Sequence, residues 1–251
     1  MRNPLTKWFE NHKSGRVLFK WTSYLDVYHK LFQKYVGKKV ILLEIGVQSG
    51  GSIDMWREYF GEGLVYHGID LSPWPKKHFE DKEHNIFIHT GSQEDPVFLR
   101  QLALKLGQVD ILIDDGGHTM LQQKTTLEHL FDMVASDGVF LTEDIHTSYD
   151  GSWDDAGYRS EGNFIEYTKK CIDQLYGFYH HKTDPTLPNN LNNIWKTSSI
   201  SFFPGIVAFE KQQVSEPLSL AMGSQKLKFN LGKIVCHGAA RRKGWCKNST
   251  G

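Results

Sequence analysis

Short apolar runs alternate with longer amphipathic segments between residues 38 and 142 of the chain. Each run is followed within two residues by glycine or an acid, which is typical of a buried strand that leads into a turn. The predicted strands are, in chain order, Val40–Leu43, Leu64–Ile69, Ile86–His89, Val109–Ile113 and Gly138–Thr142. Their regular alternation with helical segments predicts an α/β fold, a doubly wound and mostly parallel Rossmann-like sheet with helices on both faces.

Helices are predicted where apolar residues recur at steps of three and four outside these strands. The helical segments are, in chain order, 17–36, 53–60, 96–106, 119–135 and 163–176. The first segment carries a stripe of large apolar residues, which are Trp21, Leu25, Tyr28, Phe32 and Tyr35. We interpret this stripe as core packing on a helix that covers the cleft of the sheet.

The alternation of strands and helices ends after Asp144. Two later apolar runs, Ser199–Phe203 and Ile206–Phe209, flank the turn residues Pro204-Gly205. This spacing predicts a C-terminal antiparallel hairpin that closes the sheet.

These elements suggest three parts of the chain. We expect an N-terminal helical cover at 1–37, a central α/β domain at 38–210 and a basic C-terminal extension at 211–251. The extension is interpreted as a solvated tail, with contact to an anionic surface as the alternative.

Composition narrows the class of protein. The 251 residues are 39% hydrophobic and 23% charged, which fits one large soluble α/β domain. The formal net charge is zero, so no overall field attracts nucleic acid, and no apolar run has the length of a membrane span. The cysteines Cys171, Cys236 and Cys246 have neither paired nor metal-binding spacing, and no secretion signal precedes them. We therefore expect a cytoplasmic protein with no nucleic-acid partner and no transmembrane segment.

A glycine-rich turn, Glu44-Ile45-Gly46-Val47-Gln48-Ser49-Gly50, follows the first strand, and Asp70 follows the second. Open α/β sheets bind nucleoside-like ligands at this edge. A dinucleotide fingerprint requires glycine where Gln48 stands, and a phosphate-binding loop requires a lysine before Ser52. The E-x-G-x-x-x-G spacing instead resembles the first motif of class I S-adenosylmethionine-dependent methyltransferases, whose cofactor has no phosphate. A plain structural turn is the alternative.

Four acidic residues follow the fourth and fifth predicted strands: Asp114, Asp115, Glu143 and Asp144. If these strands are neighbours, Asp115, Glu143 and Asp144 converge and repel one another unless they are protonated or neutralised by a cation. Oxygen ligands suit Mg²⁺, Mn²⁺ or Ca²⁺. His118, after two glycines, could reach the same opening as a general base. The alternative is that the acids cap helices and His118 is a surface turn residue.

Five short motifs together resemble one family. They are Glu44-Ile45-Gly46, Gly68-Ile69-Asp70, Gly91-Ser92-Gln93-Glu94-Asp95-Pro96, Asp114-Asp115-Gly116-Gly117-His118 and Glu143-Asp144-Ile145-His146-Thr147-Ser148-Tyr149. They are similar to motifs of the macrocin and mycinamicin type of macrolide-sugar O-methyltransferases, and of the related cephalosporin-hydroxylase-like and rhamnosyl O-methyltransferases. The likeness covers residues 38–150 well and the hairpin loosely.

The resemblance implies a metal-dependent enzyme, usually with Mg²⁺. Its metal ligands would be Asp115, Glu143 and Asp144, and its base would be His118. Cofactor contacts are implied for Glu44, Gly46, Gly50, Asp70, Ser92, Gln93 and Asp114. The turn from Glu44 would hold the methionine part of S-adenosylmethionine, Asp70 the ribose, Ser92 and Gln93 the adenine, and Asp114 would face the cofactor side of the cleft.

The sequence departs from the family at two places: Gly117 stands where a serine is common, and the N-terminal region is short. We expect a metal-dependent O-methyltransferase that moves a methyl group from S-adenosylmethionine to a sugar hydroxyl of a glycan or glycoside. The alternatives are a methyltransferase for a catechol or another vicinal diol, and a catalytically idle cofactor-binding module. An oxygenase ranks low because a two-histidine, one-carboxylate set is not apparent. The sequence leaves open whether the chain forms a homo-oligomer.

Overall fold

A seven-stranded mixed sheet forms the centre of the computed structural model, which describes residues 2–192 and 197–213. The strands are β1 (Val40–Ile45), β2 (Leu64–Asp70), β3 (Ile86–Thr90), β4 (Val109–Asp114), β5 (Val134–Thr142), β6 (Thr197–Phe203) and β7 (Ile206–Lys211). Their order is β3-β2-β1-β4-β5-β7-β6. Strands β1 to β5 pair in parallel, whereas β7 pairs antiparallel with β5 and β6. The predicted fold class is confirmed, including the closing hairpin.

Helices flank both faces of this sheet. They are α1 (Pro4–Asn11), α2 (Thr22–Phe32), α3 (Gly51–Phe60), α4 (Trp74–Phe79), α5 (Pro96–Leu106), α6 (Met120–Leu130), α7 (Phe164–Leu175), α8 (Gly177–His180) and α9 (Asn189–Asn192). The predicted helices after β1, β3, β4 and β5 are confirmed, with ends that differ by a few residues. Helices α1 and α4 were not predicted from the apolar pattern.

The sheet separates two apolar clusters. Because neighbouring side chains of a strand point to opposite faces, Leu42 packs with the cluster beneath α1, α2 and α3, while Leu43 packs beneath α5, α6 and α7. Both leucines are fully buried. Central strands that are covered on both faces consist of continuous apolar runs, and for this reason they are easily recognised in the sequence.

The predicted helix at 17–36 is wrong for its first five residues, because α2 begins at Thr22. Residues 12–21 form no helix and are called the strap here. Its side chains alternate: Arg16, Leu18 and Lys20 are partly buried, whereas Val17, Phe19 and Trp21 are exposed. A period of two with polar side chains on the inner side follows neither the helical nor the usual strand pattern.

The strap is anchored to α3. The guanidinium of Arg16 pairs with the carboxylate of Asp54, and its Nε donates to Oδ2 of Asp54 at 3.0 Å. A side chain at Gly51 would collide with the carbonyl oxygen of Val17. Gly51, in the motif turn, therefore allows the strap to cross the start of α3.

The remaining expectations concern core packing and the later part of the chain. The predicted core stripe is buried on α2, where Tyr28 and Phe32 are fully buried and their rings stack at 5.9 Å, but Trp21, before the helix, is 56% exposed. Cys171 is buried and free. The basic extension beyond residue 213, with Cys236 and Cys246, lies outside the described residues. Within the described ranges, no helix combines the length and apolar character needed to cross a membrane.

Candidate active site

A cavity of about 780 Å³ opens at the carboxyl edge of the parallel strands. Its wall includes the turns after β1, β2, β3 and β4 and part of the strap. Strand β1 lies between β2 and β4, so the chain passes to opposite sides of β1 in succession. Such a switch point is where open α/β sheets bind their ligands, and the volume suits a small-molecule or cofactor site.

Backbone hydrogen bonds continue across the sheet beyond the strand ends. The amide of Asp115 donates to the carbonyl of Ile45 at 3.0 Å, and the amide of Glu143 donates to the carbonyl of Asp114 at 2.8 Å. Strands β4 and β5 are neighbours, as the acid cluster required. The acidic residues that follow the two strands therefore lie side by side at the carboxyl edge of the sheet.

The turn after β1 holds Asp70 at the cavity wall. Gly46 has φ +93°, and a side chain there would collide with the carbonyl oxygen of Asp115. The amide of Gln48 donates to Oδ2 of Asp70 at 3.0 Å, and the amide of Ser72 donates to Oδ1 at 2.8 Å. Each oxygen keeps a lone pair that can accept a hydrogen bond from a ligand.

Glu44 lies behind the cavity wall instead of on it. Its fully buried carboxylate accepts hydrogen bonds from Tyr66 at 2.6 Å and from the hydroxyl of Ser52 at 2.7 Å. Burial raises the pKa of Glu44, although the charge of Lys20 and these hydrogen bonds oppose the rise. Ser52 does line the cavity, so Glu44 orients a hydroxyl of the cavity wall through this hydrogen bond. Gly50, the N-cap of α3, also lies outside the lining.

Gln93 and Asp114 brace the turn after β4. The amide of Gln93 donates to Oδ1 of Asp114 at 3.0 Å and accepts from the amide of Gly117 at 2.8 Å. Asp114 is buried and does not line the cavity, whereas Ser92 and Gln93 do. Burial raises the pKa of Asp114 to about 7, although the hydrogen bond from Gln93 opposes the rise.

Gly117 lies against the capping box at the start of α6. A side chain at this position would collide with the amide of Gln122. That amide accepts from the backbone of Thr119 at 3.1 Å, while the hydroxyl of Thr119 accepts from the backbone of Gln122 at 3.2 Å. This capping box begins α6 and fills the space beside Gly117.

Asp115, His118 and Asp144 converge at the mouth of the cavity. Nε2 of His118 lies 3.4 Å from Oδ2 of Asp144 and 3.9 Å from Oδ1 of Asp115. His118 and Asp144 have φ of +60° and +52°, which costs a non-glycine residue about 1–3 kcal/mol. The hydroxyl of Thr147 lies 2.9 Å from the carbonyl oxygen of His118 and so ties the two loops together.

Glu143 faces the same space but already has partners. Its fully buried carboxylate accepts from Nζ of Lys20 at 2.8 Å and from the hydroxyl of Tyr28. The same ammonium also pairs with Asp115. Burial and the charge of Asp115 raise the pKa of Glu143, and the charge of Lys20 opposes this rise.

Lys20 is 3% exposed. Burial alone lowers the pKa of its ammonium, but the charges of Asp115, Glu143 and Glu44 outweigh burial and raise it. The ammonium of Lys20 thus favours its charged form inside the acid cluster.

The residues present fit a divalent cation in part. One ligand atom from each of Asp115, His118 and Asp144 lies within 4.8 Å of the others, while the third predicted carboxylate, Glu143, is engaged by Lys20. The sequence reasoning missed Lys20. The available signal was the alternation of polar and apolar residues at Phe19, Lys20 and Trp21. In the usual strand pattern the apolar side chains face inward, whereas here the charged side chain of Lys20 does.

Comparisons with known proteins agree with the sequence motifs. Residues 43–145 match a family model described as a methyltransferase domain. The 8-demethyl-8-alpha-L-rhamnosyl tetracenomycin-C 2'-O-methyltransferase of Streptomyces olivaceus is 34% identical over 180 residues, which are 66% of this chain and 44% of the relative. Demethylmacrocin O-methyltransferase of Streptomyces fradiae is 34% identical over 179 residues, with the same 66% and 44% coverage. The chain thus spans less than half the length of these curated relatives.

A solved structure gives the same result for the fold. The MycE methyltransferase from the mycinamycin biosynthetic pathway, in complex with Mg, SAH and mycinamycin VI, is 26% identical with a TM-score of 0.69. The match covers 84% of this chain and 54% of that one. Residues 43–145 therefore match a methyltransferase domain, and the predicted likeness to the macrocin, mycinamicin and rhamnosyl sugar O-methyltransferases is confirmed in sequence and, for the mycinamicin enzyme, also in fold.

Proposed function

We propose that this protein transfers a methyl group from S-adenosylmethionine to a sugar hydroxyl of a glycan or glycoside, with the help of a divalent cation. The observation that carries the proposal is the group of Asp115, His118 and Asp144 at the mouth of the cavity. It combines a titratable base with two oxygen ligands beside a turn of the methyltransferase type.

The cofactor is assigned to the side of the cavity that contains Gly46 and Asp70. The Asp70 carboxylate, oriented by two backbone amides, would accept hydrogen bonds from the ribose hydroxyls. Ser52 and Ser92 offer hydroxyls along the same wall. The presence of SAH in the MycE complex supports this assignment.

His118 is assigned as the general base. A sugar hydroxyl is a weak nucleophile at neutral pH, and removal of its proton by a positioned base contributes a factor of about 10²–10⁴. Nε2 of His118 lies beside the carboxylates of Asp144 and Asp115, which would stabilise the imidazolium after the proton transfer. The neutral imidazole would accept the proton while the acceptor oxygen takes the methyl group.

Asp115 and Asp144 would hold the divalent cation, together with Glu143 once its carboxylate is free. The cation would orient the acceptor hydroxyl and stabilise the developing alkoxide. Oxygen ligands favour Mg²⁺, and the MycE complex contains Mg. Relatives named for 2'-O-methylation of a rhamnosyl group support a sugar as the acceptor.

A methyl-transfer screen tests the proposal. Purified protein, S-adenosylmethionine and a panel of glycosides, catechols and simple diols are incubated with Mg²⁺ or with chelator, and methylated products are detected by mass spectrometry. We expect methylated glycosides only with Mg²⁺. Transfer to catechols alone would refute the sugar assignment. Binding of S-adenosylhomocysteine with no transfer to any acceptor would indicate an idle cofactor-binding module.

A further inference from the structure

The ammonium of Lys20 contacts carboxylate oxygens of Asp115 and Glu143 that the proposed metal ion would use as ligands. Its Nζ contacts Oδ2 of Asp115 and lies 2.8 Å from Oε2 of Glu143. The other oxygen of Glu143 accepts from Tyr28. A cation that is to bind Asp115 and Glu143 together must therefore share or replace the contacts of this ammonium.

The charges of Lys20, Asp115 and Glu143 also indicate that the ammonium and a divalent cation compete for the same carboxylates. An ammonium and a divalent cation on the same two carboxylates repel each other strongly, because little solvent screens them: the Lys20 and Glu143 side chains are 3% and 1% exposed. The alternative is that both cations stay, since three carboxylates could balance one ammonium and one divalent ion. Removal of the ammonium favours metal binding in both arrangements, but only expulsion of Lys20 frees this end of the strap.

Lys20 is also a point of attachment for the strap. The strap lines the cavity, and its inward side chains make contact at Arg16, Leu18 and Lys20. Its outward side chains are largely solvated, with Phe19 82% exposed. If Lys20 loses its carboxylate partners, this end of the strap loses its buried ion pairs, while the pair of Arg16 with Asp54 still holds the other end.

We propose that Lys20 is a displaceable internal cation: binding of a divalent metal ion to Asp115 and Glu143 expels its ammonium and loosens the strap over the cavity. Metal binding and access to the cavity would then be coupled through one side chain. This inference rests on the proposed function only in requiring that a divalent metal ion binds here.

Metal affinity is the first test. Binding of Mn²⁺ to the full chain is measured by electron paramagnetic resonance for wild type, Lys20→Met and Lys13→Met. Lys13 is exposed on the same strap, so its variant loses the same charge without touching the acids. We expect Lys20→Met to bind Mn²⁺ at least about tenfold more tightly and Lys13→Met to resemble wild type. Unchanged or weaker binding by folded Lys20→Met would overturn the proposal.

Trypsin cleavage of the wild type after Lys20 is the second test and needs no variant. Trypsin must take the Lys20 side chain into its own pocket, and this side chain is 3% exposed within its ion pairs. We expect cleavage after Lys20 to be faster when Mn²⁺ is saturating, while cleavage after the exposed Lys13 stays unchanged. Equal cleavage after Lys20 with and without Mn²⁺ would show that the ammonium stays in place and would overturn the coupling.

The two proposals fail in different ways. If Mn²⁺ binds and Lys20→Met has no effect, only the displaceable cation is refuted. If neither wild type nor Lys20→Met binds Mn²⁺, while both bind S-adenosylhomocysteine, the metal-dependent mechanism is refuted along with this inference.

Discussion

The hydroxyl of Tyr24 donates a 2.6 Å hydrogen bond to Oδ1 of Asp144. The other oxygen of this carboxylate, Oδ2, lies 3.4 Å from Nε2 of His118. Helix α2 thus fixes one oxygen of Asp144 and leaves the other toward the histidine. Helix α2 therefore contributes to the site itself, in addition to covering the sheet.

Asp70→Ala should weaken binding of S-adenosylhomocysteine at least about tenfold, because hydrogen bonds to a charged carboxylate contribute about 1.5–3 kcal/mol each. Calorimetry measures the affinity. Asp132→Ala, at an exposed residue that does not line the cavity, is the control and should bind as wild type does. Tight binding of NAD with none of S-adenosylhomocysteine would contradict the cofactor assignment.

His118→Ala should lower kcat by a factor of about 10²–10⁴, since a positioned base is lost, and should leave the affinity for S-adenosylhomocysteine nearly unchanged. The matched control is His146→Ala. Nδ1 of His146 lies 3.7 Å from Asp144, but its side chain is 52% exposed. Turnover at the wild-type rate in His118→Ala would reduce His118 to a turn residue.

Excess chelator should abolish methyl transfer, and added Mg²⁺ should restore it. Asp115→Asn and Asp144→Asn should each raise the Mg²⁺ concentration needed for half-maximal rate, because each removes a ligand charge and preserves shape. The rate as a function of Mg²⁺ concentration measures this requirement, with Asp132→Asn as the control. Full activity of both variants in chelator would mean that these acids are only helix caps.

Gly46→Ala should abolish cofactor binding and destabilise the fold, because the new side chain collides with the carbonyl of Asp115. Gly37→Ala is the control, because it introduces the backbone strain of a positive φ without a collision. Gly37 also has a positive φ, +72°, but a side chain there meets nothing within 4 Å. Its variant should lose about 1–2 kcal/mol in urea unfolding and bind S-adenosylhomocysteine normally. Equal losses of stability and binding in both variants would refute the role of the close approach.

Two histidines, His67 and His89, should each reduce the stability of the protein as pH drops from about 6.5 toward 4, whereas Asp114, whose pKa is raised to about 7, contributes in the opposite direction over this range. The rings of His67 and His89 stack with centroids 5.4 Å apart, and Nδ1 of His67 lies 3.2 Å from Nε2 of His89. Burial lowers the pKa of both to about 4, together with the charge of Lys105 and, for His89, the charge of His67. Nearby Lys76 lowers and Glu80 raises the pKa of His89. Below pH 6.5 the two histidines bind protons in the unfolded chain that they do not bind in the folded chain, so each makes unfolding easier.

His67→Phe should keep more of its stability than the wild type when the pH falls from 7.5 to 5, since one of the two histidines with a lowered pKa is removed and the stacking surface remains. Urea unfolding at pH 7.5 and pH 5 measures the free energy of unfolding in both proteins. A slope equal to that of the wild type would show that the pair does not contribute.

The order of the strands, and of the long helices α3, α5, α6 and α7 between and after them, followed from the sequence because each signal is local. Buried strands such as β1 are continuous apolar runs, and Asp95-Pro96 marks the start of α5 within two residues. The turn at Gly46 and the acids at Asp115 and Asp144 were also readable, since parallel strands end at one edge of a sheet.

Only the tertiary structure decided what surrounds these acids. Lys20 lies 95 residues from Asp115 and 123 residues from Glu143 along the chain. No local pattern records a contact of that kind. Residues 17–21 were predicted as helix because Trp21 continues the helical spacing of Leu25 and Tyr28, although the helix begins at Thr22. Sequence periodicity reports which side chains leave water for an apolar core, whereas a buried charge is placed by the specific partner that neutralises it.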